Sequence, residues 1–338
     1  MPVRRNFSPR WEKARNFLES RQLPGCLVAS SGNISWLVGQ PHTEGLLLLT
    51  KKEIFLFVPP LQQQADLDQG SLPVNLITRE KEFVRQVNSC RRVGFISSEI
   101  TVERYERWKK QFSCLLKPLN DFLLNCRAVK DSEERQLLKK AREIARKVMR
   151  DVITKHLKPG VEEREIAEHI RWLAWYHGGE GISFPPIVAS GYHTVYPHHR
   201  PGRKKIQAGE PVIVDLGVEY QGYHSDLTET VFLERPNHQL RKIYSLVRQV
   251  QRKCLKIAKP GIRAKKVHQL AVSLFRQKKM EGYFVHGLGH GVGLAVHEKP
   301  VLNGKSEDIL QPGMVITIEP GLYLPGIGGV RLETMLIL

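Results

Sequence analysis

A chain of 338 residues, 41% apolar and 25% charged, has the composition of a soluble globular protein and the length of two domains. No apolar run approaches the roughly 20 residues of a membrane span, and the basic start MPVRRNFSPRWEKARNF lacks the apolar core of a secretory signal. The net charge of +18 is densest over residues 235–266, with eleven Lys or Arg, but no zinc-finger or helix-turn-helix pattern accompanies it, so neither nucleic acid nor membrane is an expected partner.

In chain order, SPRWEKARNFLESRQ has helical periodicity with Ser8 as the candidate N-cap. CLVAS, GLLLL, EIFLFV and RRVGFI are short apolar runs bounded by turn residues, the mark of buried strands. Together they predict an α/β domain over residues 1–124. The character changes at RAVKDSEERQLLKKAREIARKVMRDVITKHL, a long amphipathic helix with Ser132 as N-cap and Glu133 and Glu134 in its first turn. A second domain, residues 125–338, begins there. It contains a distant echo: HLKPGVEEREIAEHIRWLAW and IAKPGIRAKKVHQLAVSLFR lie 101 residues apart and align Pro159-Gly160 with Pro260-Gly261, which predicts an internally duplicated, pseudo-symmetric α+β domain. Five cysteines, odd in number, widely spaced and without a C-x-x-C pair, fit a reducing cytoplasm.

The strands of the second domain carry acids where packing alone has no use for them. PVIVDLGVEYQGYHSDLTETVFL reads as a hairpin turning at Glu219–Gly222, which sets Asp215 opposite Asp226 on one face. MVITIEPGLYLPGIGGVRLETMLIL repeats the device: a turn centred on Gly326 sets Glu319 opposite Glu333. Opposed like charges inside apolar runs call for a cation between them. Between the hairpins lies HGLGHGVGLAVHE, residues 286–298, with three histidines and four glycines. It is too rich in glycine for a stable helix and reads as a loop or irregular strand wrapped around a site. Four carboxylates and an imidazole form a donor set for two divalent cations; its oxygen-rich character favours Mn²⁺ and is compatible with Co²⁺, Fe²⁺ or Zn²⁺.

Asp215, Asp226, His290, Glu319 and Glu333, in the contexts VDLG, SDLTET, HGLGHGVGLAVHE and ITIEPGLYLPGIGGVRLE, resemble the five metal ligands of the pita-bread metallopeptidases, the family of methionine aminopeptidase, aminopeptidase P and prolidase. The first half, including SSGNISWLVG, is similar to the creatinase-like N-terminal domain of the proline-specific members. The resemblance implies that Asp226 and Glu333 bridge two metals, Asp215 binds one, and His290 with Glu319 the other. It gives Glu319 a second role as proton shuttle and Arg331 the orientation of a ligand carboxylate. His198 resembles a histidine that contacts the scissile amide, with His199 as a register competitor. His297 resembles one that binds the carbonyl or tetrahedral intermediate, and His286 a third histidine of the proline-specific branch. Two departures stand out. Glu229 occupies a position that is Arg in many relatives, and Val301 one that is Arg in some prolidases, where it meets the substrate carboxylate. Val301 tips the reading toward aminopeptidase P, while the resemblance of the first half and His286 imply peptides with proline second and a homodimer or larger oligomer; prolidase is the alternative and a non-catalytic interaction module the remote one.

Overall fold

The short apolar runs of the first third pair as strands, as their composition requires. The computed structural model describes residues 8–59, 74–236 and 238–338, and the chain divides into two units, Met1–Arg127 and Ala128–Leu338. In the first, β1 (Gly25–Val28), β2 (Leu46–Thr50), β3 (Ile54–Phe57), β4 (Asn75–Ile77), β5 (Arg92–Ile96) and β6 (Leu115–Leu119) form one mixed sheet in the order β4-β3-β2-β1-β5-β6. Its helices are α1 (Ser8–Ser20), α2 (Ser31–Val38), α3 (Glu80–Ser89), α4 (Val102–Gln111) and α5 (Leu123–Ala128). Because α1 already includes Ser8, its capping position falls on residue 7, outside the described residues, as does the basic segment 1–7. The SSGNISWLVG segment is α2. Ser30 caps it by accepting from Asn33 N, and the Glu99 carboxylate accepts from Ser30 Oγ and Asn33 Nδ2, both at 2.6 Å.

The second unit opens with α6 (Ser132–Asp151). Its cap is Asp131, one residue before the Ser132 expected from sequence, because Asp131 Oδ1 accepts from Glu134 N (2.9 Å) while Glu134 Oε2 accepts from Asp131 N (3.0 Å). Three residues after Asp131 stands Glu134, which returns the second bond, whereas three after Ser132 stands Arg135, which has no acceptor to do so. Then come α7 (Glu163–Tyr176), β7 (Gly181–Ile182), β8 (Ile187–Ser190), β9 (Pro211–Leu216), β10 (Val218–Tyr220), β11 (Tyr223–His224) and β12 (Leu227–Phe232). After α8 (His238–Ile257) and α9 (Ala264–Arg276) follow β13 (Gly289–Gly291), β14 (Glu298–Leu302), β15 (Val315–Ile318), β16 (Gly321–Leu324), β17 (Gly328–Arg331) and β18 (Thr334–Ile337). One half contributes the sheet β12-β9-β8 and the other β14-β13-β15-β18.

The Pro-Gly echo is structural. Gly160 N donates to Ile206 O and Gly261 N to Leu310 O, each at 2.8 Å; Ile206 N returns to Val161 O and Leu310 N to Ile262 O, each at 2.9 Å. Both glycines hold left-handed angles, φ 90° and 88°, which an L side chain resists. On α8, Leu240, Ile243, Val247, Val250 and Cys254 are buried at helical spacing while Arg241, Arg248 and Arg252 are exposed. The basic stretch is therefore a solvated face. Among the described residues no helix is long and apolar enough to cross a membrane.

The two acid-bearing hairpins differ in how far pattern alone located them. In the second, Ile318 pairs with Thr334 and Gly321 with Arg331, so Glu319 and Glu333 fall at the same level between two ladders of common register, as expected. In the first, Asp215 pairs with Thr228 and not with Asp226. The turn is a tight two-residue one at Gln221 (φ 49°) and Gly222 (φ 75°), which shifts the ladder by two places. A shift of two preserves the face, so Asp215 and Asp226 still point the same way, on a diagonal.

Candidate metal centre

Every one of these acids sits at or next to the end of a strand. Asp215 is the penultimate residue of the central strand β9, buried throughout, and Asp226 immediately precedes β12. Glu319 directly follows β15, and Glu333 lies between β17 and β18. His290 is the middle residue of β13, where glycine is required on both sides: a Cβ on Gly289 would collide with the Thr317 carbonyl, and one on Gly291 with the Lys299 carbonyl. The histidine-rich stretch is thus an irregular strand squeezed between neighbours, which accounts for its glycines. Asp215, Asp226, His290, Glu319 and Glu333 all line one cavity of about 450 Å³, together with His198, His199, Arg200, His286, His297 and Arg331.

Ligand atoms of Asp226, His290 and Glu333 lie within 4.8 Å of one another, and His290 Nε2 is 3.6 Å from both Asp226 Oδ2 and Glu319 Oε1. His290 Nδ1 donates to Gly291 O at 3.1 Å, which leaves a lone pair on Nε2 directed at the acids. Asp215 Oδ1, Asp226 Oδ1 and Glu333 Oε1 are buried without a hydrogen-bond partner. Buried, unpartnered carboxylate oxygens beside an imidazole lone pair suit divalent cations. Burial, then the neighbouring Glu333 charge, push the Asp226 and Glu319 carboxyls well above their usual range, and burial followed by Asp215 raises Glu333 to about 7.

Arg331 organises the surrounding layer. It donates from Nη2 to Asp215 Oδ2 (2.7 Å), from Nη1 to Tyr323 OH (3.0 Å) and Pro197 O (3.1 Å), and from Nε to Thr228 Oγ1 (3.3 Å). Tyr323 OH passes its proton bond on to His286 Nε2 at 2.9 Å, and His286 Nδ1 donates to Gly287 O at 2.7 Å. His286 therefore lines the cavity with both ring nitrogens already engaged. His199 is likewise committed, through Nε2, to Glu163 Oε2 at 2.8 Å. His198, by contrast, has no hydrogen bond among the described residues and acts electrostatically on Asp215, His286 and His297. His297 is exposed to the cavity, its ring centre 4.3 Å from that of His290. The next residue, Glu298, anchors this loop: it accepts from Ala295 N at 3.0 Å and from the fully buried Lys130 at 3.1 Å.

Residues 136–338 match metallopeptidase family M24, and residues 10–129 match the creatinase/prolidase N-terminal domain. The chain belongs to family M24. Its fold is that of the family, a creatinase-type N-terminal domain followed by a pita-bread domain. It is 35% identical to the Xaa-Pro dipeptidase of Pyrococcus horikoshii over 97% of this chain and 93% of that one. Among solved structures it is similar to an Xaa-Pro dipeptidase from Bacillus anthracis (TM-score 0.94, 28% identity, 98% and 95% covered) and to an X-Pro aminopeptidase from Thermotoga maritima (TM-score 0.86, 25% identity, 94% and 93% covered).

In this M24 chain the departure at Glu229 does not itself line the cavity. Its neighbours in β12, Thr228 and Thr230, are buried with their hydroxyls in the Arg331 and Glu333 network, while Glu229 lines a cleft with Arg146, Arg150 and Arg248 that meets the cavity at Glu333. Burial raises its pKa and Arg248 lowers it. Sequence reasoning missed Tyr323, Thr228 and Glu163. Each acts through partners 8 to 105 positions away, and no local pattern marks them.

The carboxyl shifts predict a pH signature for the metal-free M24 protein. A carboxyl with a raised folded pKa stabilises the fold fully below its ordinary value of 4.5, and that contribution is lost as pH rises through about 7 for Glu333. His286 and His290, lowered to about 4 chiefly by burial, work oppositely but add no slope above their ordinary 6.5. Protein stripped by chelator is expected to melt at lower temperature at about pH 8 than at about pH 6.5, and added metal should remove the difference. Thermal unfolding at both pH values, with chelator and with Mn²⁺, measures this; chelated protein as stable at the higher pH would contradict it.

Proposed function

We propose that the chain is a dinuclear metal-dependent Xaa-Pro dipeptidase that hydrolyses dipeptides with proline in second position. The observation that carries this reading is the end-to-end likeness to the Xaa-Pro dipeptidase of Pyrococcus horikoshii. It displaces the aminopeptidase P preference drawn from Val301, which rests on one missing arginine, whereas another guanidinium, that of Arg200, lines the cavity. Asp226 and Glu333 would bridge two cations, Asp215 would hold one and His290 with Glu319 the other. The unpartnered oxygens and the free Nε2 of His290 support that assignment.

When bound, two such cations polarise a carbonyl and lower the pKa of a water. The rest falls to the chain's own groups. Arg331 fixes Asp215 in one rotamer, and Thr228 does so for Glu333. Glu319 takes the proton of the attacking water and returns it to the proline nitrogen, which has no hydrogen of its own and must be protonated to leave. His297 donates to the carbonyl oxygen as negative charge develops there, and His198 to the scissile group. Phe184, Pro185 and Pro186 supply an apolar wall for a pyrrolidine ring.

The test is kcat/KM on Ala-Pro, Ala-Pro-Ala and Met-Ala-Ser with one Mn²⁺-loaded sample. Ala-Pro is expected to be fastest. Faster turnover of Ala-Pro-Ala would restore the aminopeptidase reading, and faster turnover of Met-Ala-Ser would end the proline assignment altogether.

A further inference from the structure

We infer that Arg200 receives the free carboxylate of the dipeptide's proline and thereby sets the length of substrate the site accepts. This rests on the dipeptidase reading above. A dipeptide ends within a few ångströms of its scissile bond, since two residues span at most about 7 Å. Its carboxylate must therefore be met by a group lining the same cavity, and a carboxylate removed from water needs a cationic or multiply hydrogen-bonding partner.

Two guanidinium groups line that cavity, Arg200 and Arg331. Arg331 is consumed by Asp215, Tyr323, Pro197 and Thr228, and is almost wholly buried. Arg200 is exposed and has no hydrogen bond or ion pair among the described residues. Val301 is apolar and is not among the residues that line the cavity, so it leaves the task open. Of the remaining bases nearby, Lys204 is bound to Glu210 at 2.7 Å and Lys299 to Asp308 at 3.4 Å.

Arg200 also stands on a loop built to hold it still. Pro197 O accepts from Arg331, His199 is held by Glu163 through its ring, and Gly202 N donates to Glu163 Oε2 at 3.3 Å. Gly202 O in turn accepts from Arg164 N at 3.1 Å. Pro197 and Pro201 restrict the backbone on either side of the loop's centre. The backbone is thus pinned before and after Arg200, while its side chain is left free to fork onto a carboxylate in two parallel bonds. Glu163, fully buried and accepting from Ser190 and both His193 and His199, is the positioning residue for this loop.

The experiment compares Ala-Pro with Ala-prolinamide, which lacks the charge, on wild-type protein and on Arg200→Gln and Arg200→Lys, each with metal content measured. Wild type is expected to favour Ala-Pro. Arg200→Gln should lose roughly 10–10²-fold more kcat/KM on Ala-Pro than on the amide, mostly through KM, at unchanged metal content. Arg200→Lys should recover part of the preference, having the charge but not the planar fork. An equal loss on both substrates, or a preference for Ala-Pro retained in Arg200→Gln, would overturn the role of Arg200 and leave the dipeptidase reading standing. Wild type that favours neither Ala-Pro over its amide nor Ala-Pro over Ala-Pro-Ala would overturn both.

Discussion

Asp226→Ala and Glu333→Ala are each expected to lose bound metal and activity together, with kcat lower by about 10³-fold or more. Each removal leaves three carboxylates for two dications, and each takes away an oxygen that the fold buries without any other partner. A second readout separates this from simple misfolding. In chelator the four acids repel one another, and the Asp226 carboxyl is held far above its usual range by burial and by Glu333, Asp215 and Glu319. Removing one acid relieves that crowding, so the Asp226→Ala protein should melt at a higher temperature than wild type when both are metal-free at about pH 8. Metal analysis showing two tightly held ions in either variant would refute the bridging role.

His297→Ala is expected to keep its metal and lose about 10²–10³ in kcat with little change in KM. His297 opens onto the cavity from a loop fixed by Glu298 and Lys130, and its ring is lowered in pKa, first by burial and then by His198. On the proposed reading it is a donor placed beside the cluster and not a ligand in it. A donor that matters only as charge grows on the carbonyl oxygen affects the transition state more than the bound substrate. Near-normal kcat in His297→Ala, with metal retained, would show that the ring is only a wall of the cavity.

The acids were legible in the sequence because a strand has a period of two. Once a hairpin is recognised, parity alone decides which residues share a face, and parity survived the two-place error in locating the Gln221-Gly222 turn. The echo at Gly160 and Gly261 was legible because a left-handed position leaves few residue choices. What stayed hidden depends on distant partners. Nothing near Tyr323 announces that its hydroxyl links Arg331 to His286, and nothing near Glu163 announces that it fastens the loop of His199 and Arg200. The same limit holds at Val301: its distance from His297 along the chain does not tell which basic groups line the cavity, and Arg200, about a hundred residues earlier, is one that does.

The shared register of the two ladders around Glu319 and Glu333 makes that arm of the protein a measuring stick. Ile318 with Thr334 marks one end and Gly321 with Arg331 the other, and the intervening stretches, Glu319-Pro320 and Leu332-Glu333, are equal in length. One residue added to either stretch would throw the ladders out of phase and turn an acid away from its partner. At the far tip a Cβ on Gly326 would meet nothing within 4 Å, and extra residues there would lengthen the bend beyond the ladder. Tolerance to insertion thus changes from free to forbidden within seven residues of chain, and a reporter peptide or label spliced in at Gly326 would ride on the strand pair that carries Arg331 without altering the spacing of the acids behind it.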